Sequence, residues 1–331
     1  MPEKNSTLKT KIPVCAVYIL FILCAAIGYG QKEPQYTQYM YNIGSFNPAY
    51  VNTVDNIELT ALYRAQWISI PGAPKTFRIG LNAPLSNEKM GLGLNIVNDQ
   101  VGPVTQTYAD IGYAYQINIS SNTKLSFGLE LGGSFLNVDF EKGTFENPGE
   151  ALNQARISEF YPTIGAGTFV YGEDWYVGAS VPNFLTEGIY NEEVLSIIED
   201  RFQFNIVGGY VFNLNDNLKF KPAFLANKLG GAPLNLNLSA NFLMVDRFTA
   251  GVSYRINNAF SGLAGFQVNE FIYLGYAYDY NTSPLGEFNQ GSHEIILKYF
   301  LGNGSNSKGS NNNKANNSKG KVKQIDTPRF F

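Results

Sequence analysis

The segment Leu234-Asn-Leu-Asn-Leu-Ser-Ala-Asn-Phe242 alternates without a break, with Leu234, Leu236, Leu238, Ala240 and Phe242 on one parity and Asn235, Asn237, Ser239 and Asn241 on the other. Successive side chains of a strand point to opposite faces, so this stretch is an extended ribbon with one apolar and one amide-rich face. Lys75–Ala83 follows the same rule, setting Phe77, Ile79 and Leu81 against Arg78, Gly80 and Asn82. Ala109, Ile111, Tyr113, Tyr115 and Ile117 alternate with Asp110, Gly112, Ala114 and Gln116, and Leu125, Phe127, Leu129 and Leu131 with Ser126, Gly128, Glu130 and Gly132.

Carried along the chain, this template predicts strands over 57–67, 75–83, 89–98, 105–118, 123–138, 160–171, 174–182, 202–213, 217–227, 233–243, 246–256, 259–268, 270–279 and 291–300. Fourteen strands, mostly of 9–12 residues, are long for a soluble sandwich and right for crossing a bilayer at a tilt. The even number suits a closed antiparallel barrel, which leaves no edge unpaired in hydrocarbon. If the mature N-terminus is periplasmic, the longest connections, around 139–159 and 183–201, fall outside with Ile68–Pro74. The short ones, such as Gly172-Glu173, Asn213–Asp216 and Met244-Val245, then fall on the periplasmic side. The rival is an exported β-sandwich, which shows the same alternation.

Composition agrees with a membrane barrel. Of 331 residues 44% are hydrophobic and 14% aromatic, carried by 24 Phe and 21 Tyr, but only 15% are charged, against about 25% in ordinary soluble domains. One long apolar run, Val14 to Ile27, follows Lys4, Lys9 and Lys11 and ends in Gly28-Tyr29-Gly30, the pattern of a secretory signal peptide. A bundle of transmembrane helices is excluded, since each would need its own run of about 20 apolar residues. The expected organisation is a signal peptide over 1–30, an N-terminal periplasmic or plug segment over 31–56, an outer-membrane barrel over 57–301 and a flexible tail over 302–331. The tail is rich in Asn, Ser, Gly and Lys and carries five Lys, one Arg and one Asp; of the net charge of −3, residues 31–301 hold −10. It cannot bury enough apolar surface to offset its ordering entropy.

Catalytic chemistry is scarce. Both cysteines, Cys15 and Cys24, lie in the signal segment, and His293 is the one histidine, so no metal cluster, thiol site or cofactor is expected. Asp110, Glu130, Asp279 and Glu294 fall on polar strand faces, where ionic packing in the lumen with Arg64, Arg78, Arg255 and Lys298 is the ordinary reading. The glycines of Gly91-Leu-Gly-Leu and Gly128-Leu-Glu-Leu-Gly are strand glycines, because no helix follows as a phosphate loop requires. Nothing in the chain supports binding of a nucleotide or nucleic acid.

Several short motifs form a set. Pro34-Gln-Tyr-Thr-Gln-Tyr-Met-Tyr-Asn42 and Asn47-Pro-Ala-Tyr50 are followed by Tyr63-Arg-Ala-Gln-Trp67, Pro71-Gly-Ala-Pro-Lys-Thr76, Gly91-Leu-Gly-Leu94, Asn98-Asp99 and Gly102-Pro103. Gly231-Ala-Pro-Leu234, Asn241-Phe-Leu243, Gly275-Tyr-Ala-Tyr-Asp-Tyr280 and Gly291-Ser-His-Glu294 complete it. Over about 34–300 the chain resembles the PorP/SprF family of the Bacteroidetes type IX secretion and gliding machinery. The resemblance implies a non-enzymatic protein of the bacterial outer membrane that helps export or hold one surface protein, such as an adhesin with a C-terminal sorting domain, and that contacts periplasmic secretion components as well as lipid.

Partner contacts are expected at the first outer loop, through Arg64, Trp67, Pro71 and Lys75, where Pro71-Gly-Ala-Pro74 is stiff. A second set is Val194, Leu195 and Ile198, spaced for a short amphipathic helix in the 183–201 connection. The third is Phe330 and Phe331 at the end of the basic tail. Two functions stay open on sequence: a scaffold that holds a secreted protein, and a passive pore for small solutes, for which a fourteen-strand barrel is wide enough.

Overall fold

The structure, a computed structural model, describes residues 34–85, 89–139, 156–185 and 202–301. Its strands are β1 (Ile57–Ala65), β2 (Lys75–Pro84), β3 (Met90–Val101), β4 (Val104–Asn118), β5 (Lys124–Asp139), β6 (Arg156–Tyr171), β7 (Trp175–Val181), β8 (Gln203–Tyr210), β9 (Phe212–Asn215), β10 (Leu218–Leu229), β11 (Asn235–Met244), β12 (Phe248–Arg255), β13 (Ala259–Asn269), β14 (Ile272–Asn281) and β15 (Ser292–Leu301). β8 and β9 both pair with β10 and are one strand interrupted at Val211, whose amide bonds instead to the Asp174 carbonyl. Every neighbour is antiparallel, and β1 pairs with β15 from Ile57↔Leu301 to Ala65↔His293. The sheet is therefore a closed barrel of fourteen strands.

The alternation dictates which side chains face out. Along β2, Phe77 and Ile79 are exposed while Thr76, Arg78, Gly80 and Asn82 are buried. Phe248, Val252, Leu274 and Tyr276 join the outer apolar surface; Asn237, Ser239 and Asn241 turn inward. A closed ring with an apolar exterior satisfies all its backbone groups without an edge, which is what a hydrocarbon surrounding demands. No helix among the described residues is long and apolar enough to cross a membrane.

The two rims differ. Turns at 119–123, 172–174, 216–217, 245–247 and 270–271 lie on the rim where β1 starts and β15 ends, here the terminal rim. The opposite rim, the loop rim, carries 66–74, 230–234 and 282–291, and the ladder β5–β6 runs up to it as far as Asp139↔Arg156. Here the structure moves several sequence boundaries. β6 begins at Arg156, four residues before the expected 160, because Leu136 and Val138 pack with Val104, Ile157 and Tyr161 and hold the projecting hairpin together. β3 reaches Val101 and β4 starts at Val104, leaving the two-residue turn Gly102-Pro103, where Gly102 takes φ +55°. At the terse connection near Asn257, that residue adopts φ +58°, as hairpin chemistry requires. The connections at 140–155 and 186–201 lie outside the described residues.

The core of the protein is inside the ring. Residues 34–56 enter the lumen as three short 3-10 turns, Tyr39–Tyr41, Ile43–Ser45 and Pro48–Tyr50, linked by amides that donate three residues back. Tyr39, Met40, Ile43, Ala49 and Tyr50 are buried against the wall with Leu62, Phe169, Tyr176, Val207 and Ile296. Asn42, Gly44, Asn47 and Pro48 prevent a longer helix.

The outer surface makes a depth-dependent prediction. Arg in place of Val252, midway along β12, should cost about 2–4 kcal/mol, whereas Arg in place of Tyr280, at the loop rim, should cost about 0–1 kcal/mol. Urea titration of the protein refolded into liposomes measures both; equal costs would contradict a membrane-embedded belt.

Candidate functional site

The polar chemistry of the protein converges on the contact between the N-terminal segment and the wall. Arg64, on β1, is buried and points into the lumen, donating from Nη2 to Asp279 Oδ2 on β14 at 2.6 Å and from Nη1 to Glu294 Oε2 on β15 at 3.0 Å. Nη1 also donates to Thr37 Oγ1 at 2.8 Å. Thr37 in turn donates its hydroxyl to Asp279 at 2.7 Å and its amide to Glu294 Oε2 at 2.9 Å, and the Gln38 amide reaches Glu294 Oε1 at 2.8 Å. One guanidinium and two carboxylates thus bind three strands and the inserted segment together.

Further anchors follow along the segment. Arg78 Nη1 donates to Asn42 Oδ1 at 2.6 Å while its Nε holds Asn95 Oδ1 at 2.7 Å. Lys221 of β10 is buried with its ammonium 5.9 Å from the ring centre of Tyr41 and 5.2 Å from that of Tyr176. Tyr39 shares a 2.9 Å hydrogen bond with Ser239. Burial pushes the phenols of Tyr39 and Tyr41 up, so both rings stay neutral. Asn47 caps its own turn by accepting from the Ala49 amide at 3.0 Å and donates to the Thr168 carbonyl at 3.1 Å. Where the segment meets β5, a Cβ on Gly128 would overlap the Pro48–Ala49 backbone, so only glycine permits that approach.

A second buried pair crosses the closing seam below the first. Lys298 on β15 donates to Glu58 on β1 at 3.0 Å, and Asn82 completes the Glu58 carboxylate at 3.0 Å. Above the segment, toward the loop rim, the lumen keeps a cavity of about 90 Å³ bordered by Tyr36, Gln106, Asp110, Glu130, Asn205 and Asn237, among others.

The residues expected at the first loop separate. Arg64 does not reach the loop surface; strand parity turns it inward, into the network above. Pro71 and Lys75 are exposed and Trp67 half-buried. Trp67 and Ser69 hold positive φ, of 48° and 82°, conformations a non-glycine keeps only when its surroundings impose them. The imposing contacts are Ile68 N to the Gly291 carbonyl (2.9 Å), Gln290 N to the Ile68 carbonyl (2.9 Å), Trp67 N to Ser292 Oγ (3.1 Å) and Gly102 N to the Gly72 carbonyl (2.8 Å). The first loop, the Gly102 turn and the 282–291 connection form one fixed surface, on which Phe288 is widely exposed. Val194, Leu195, Ile198, Phe330 and Phe331 lie outside the described residues. Among the described residues no group of acidic, His or Cys side chains could hold a metal.

The sequence matches the family described as type IX secretion system membrane protein PorP/SprF over residues 29–299. No curated protein matches it in sequence. Among solved structures it is similar to a FadL homologue of Pseudomonas aeruginosa (13% identity, 82% of this chain and 95% of the other, TM-score 0.43). It is also similar to the CymD monoaromatic hydrocarbon channel (11%, 84% and 96%, TM-score 0.48) and to the toluene transporter TbuX of Ralstonia pickettii (9%, 82% and 95%, TM-score 0.44).

The lock and the glycine contact are separately testable. Gly128→Val should expel the N-terminal segment from an intact barrel, read as new protease cleavage within 34–56 together with raised conductance in planar bilayers; continued protection would contradict the packing described. Arg64→Met removes the cation hydrogen-bonded to Asp279 and Glu294 and leaves both carboxylates buried, at a cost of about 3–5 kcal/mol. Unfolding in urea should recover most of that loss when Asp279→Asn and Glu294→Gln are added.

Proposed function

The chain belongs to the PorP/SprF family of type IX secretion system membrane proteins, with the fold of an outer-membrane barrel, and from that premise we propose that it is a non-enzymatic scaffold. In this reading the loop rim holds or helps export one secreted surface protein, such as an adhesin with a C-terminal sorting domain, while the terminal rim and tail face periplasmic secretion components. The observation that carries it is the filled lumen: a buried ionic network holds the chain's own N-terminal segment across the barrel. A barrel so occupied is poorly suited to conduct solutes, and its accessible chemistry is left at the rims.

The fixed loop surface supports the reading further. Trp67, Pro71 and Lys75 sit on a loop pinned at both ends, so their geometry is set before any partner arrives, which lowers the ordering cost of association. Val194, Leu195 and Ile198, outside the described residues, join the proposed contacts on the sequence pattern of their connection alone. Arg64 contributes from beneath, by fixing β1 and the inserted segment. Phe330 and Phe331, at the end of a basic tether, are suited to dock on a periplasmic protein, since two terminal aromatics are poorly accommodated by water. The orientation with both termini in the periplasm and the boundary of the signal peptide near residue 30 belong to this proposal.

Deleting 186–200 should leave insertion into the outer membrane intact and abolish retention of the surface protein, read by cell-surface labelling and co-purification. Retention at normal levels would overturn the assignment of that loop. Removing Phe330 and Phe331 alone should give an inserted barrel that no longer co-purifies with periplasmic components; loss of the barrel itself would make them an assembly signal instead. Steady open-channel conductance of the intact protein would favour the pore.

A further inference from the structure

The closed ring has no edge, but the hairpin that rises from it does. β5 pairs with β6 from Lys124↔Tyr171 to Asp139↔Arg156, whereas β7 pairs with β6 only from Ala166↔Val181 to Tyr171↔Tyr176. Pro182 and Asn183 end the second ladder. Pro182 has no N–H to donate, and Asn183 Oδ1 accepts from the Ile164 amide at 3.2 Å and from the Leu185 amide at 3.0 Å, which turns the chain off the strand. The Phe184 amide donates to the Ile164 carbonyl at 2.7 Å. Ile164 thus directs both backbone groups away from β5. Because the β5–β6 register is unbroken, alternation directs the carbonyl of Pro162 and both groups of Phe160 and Ser158 the same way, and no strand receives them among the described residues. Unpaired backbone is not tolerated in hydrocarbon, and this edge stands clear of it, since the outward row Gln100, Thr105, Asn137 and Ser158 is polar. Outside, Phe160 is 54% exposed and packs on Phe135 with ring centres 4.8 Å apart, and at the foot of the edge Phe184 and Phe202 are exposed. On the inner face the neighbours are Glu159, Tyr161 and Thr163.

We propose that the free edge of β6 takes up an extended segment of the held surface protein as an added antiparallel strand, with apolar side chains of that segment outward beside Phe160 and hydroxyl or amide side chains inward beside Tyr161 and Thr163. Donors and acceptors spaced at a two-residue repeat are matched by another extended backbone and not by a helix. The two faces of the edge differ in polarity, so the added strand is one that alternates. A second copy inserted in the same membrane runs its β6 in the same direction and cannot complete an antiparallel ladder. The chain's own 186–201 connection has the sequence spacing of a short helix rather than a period of two. The proposal rests on the scaffold reading and names the contact by which the partner is held.

The test uses the full chain purified in detergent and the peptide acetyl-Ser-Val-Thr-Val-Thr-Val-Ser-amide, compared by calorimetry with two isomeric forms, one N-methylated on two valines and one on two threonines. In the proposed pairing the outward residues turn their amides toward β6, so methylated valines should weaken binding at least about tenfold and methylated threonines should leave it nearly unchanged. Ser158→Pro removes an edge donor and no bond of the β5 ladder; it should weaken the parent peptide about fivefold or more at an unchanged unfolding midpoint, while Ser158→Thr should not. Equal binding of the two methylated forms, or no binding of the parent peptide, would overturn the proposal without recourse to any variant. Binding that appears only after deletion of 186–200 would assign the edge to the chain's own connection and overturn it as well. Steady open-channel conductance with the selectivity between methylated forms intact would remove the scaffold reading and leave the edge site standing. Methylated forms that bind alike while the surface protein is still retained would do the reverse, so the two failures are distinguishable.

Discussion

The start of the inserted segment is held to the closing strands of the barrel by the desolvated guanidinium of Arg64. The two terminal nitrogens of Arg64 are held simultaneously by Asp279, Glu294 and Thr37, and each of these belongs to a different part of the chain. A buried ion pair is seldom a net source of stability relative to well-packed apolar groups, because desolvation takes back most of the Coulomb gain. Its effect is on uniqueness. A one-residue slip of β1 against β15 would turn Arg64 outward and leave two carboxylates facing each other, so the observed register Arg64↔Glu294 is strongly selected. The Lys298–Glu58 pair imposes the same register again at the other end of the seam.

Much of this was legible in the sequence, and the reasons for success and failure are physical. Period-two alternation located all fourteen strands because a closed sheet with an apolar exterior must alternate, and the same parity assigns Arg64, Arg78, Arg255 and Lys298 to the interior. Reading Arg64 as a flank of the first loop went against that parity; its neighbour Tyr63, not Arg64, is the residue on the outer face. The inserted segment has no period, since its turns are irregular and its burial comes entirely from distant strands. Its signal was present in a different form, as polar-face glycines: the segment's backbone lies against Gly91 and Gly128, and the Val51 side chain against Gly93. The interruption at Val211 was invisible because it exchanges one carbonyl partner for another without altering the hydrophobic pattern.

The interior is divided unequally. Toward the terminal rim the inserted segment meets the wall through glycines and close-packed aromatics such as Phe169 and Tyr176, which stack with ring centres 5.5 Å apart. Toward the loop rim a cavity remains, bordered by amides, hydroxyls, tyrosines, Asp110 and Glu130, and the same half of the wall carries Arg64, Asp279 and Glu294. The barrel is therefore a cup with its base built from its own N-terminus, and the side chains around its cavity stand mostly on strands, which hold position better than loops do.

The hydrogen bond between the Thr37 amide and Glu294 joins residues 257 apart in sequence. The inserted segment is among the first parts of the described chain to be made, yet its anchor lies on the last strand. No product of the chain that stops before β15 can form that contact, so the base of the cup settles only in a molecule whose C-terminal hairpin is present and paired. The network thereby acts as an audit of chain completeness: a truncated or mis-registered barrel keeps its N-terminus loose, and so carries a visible mark of its own defect.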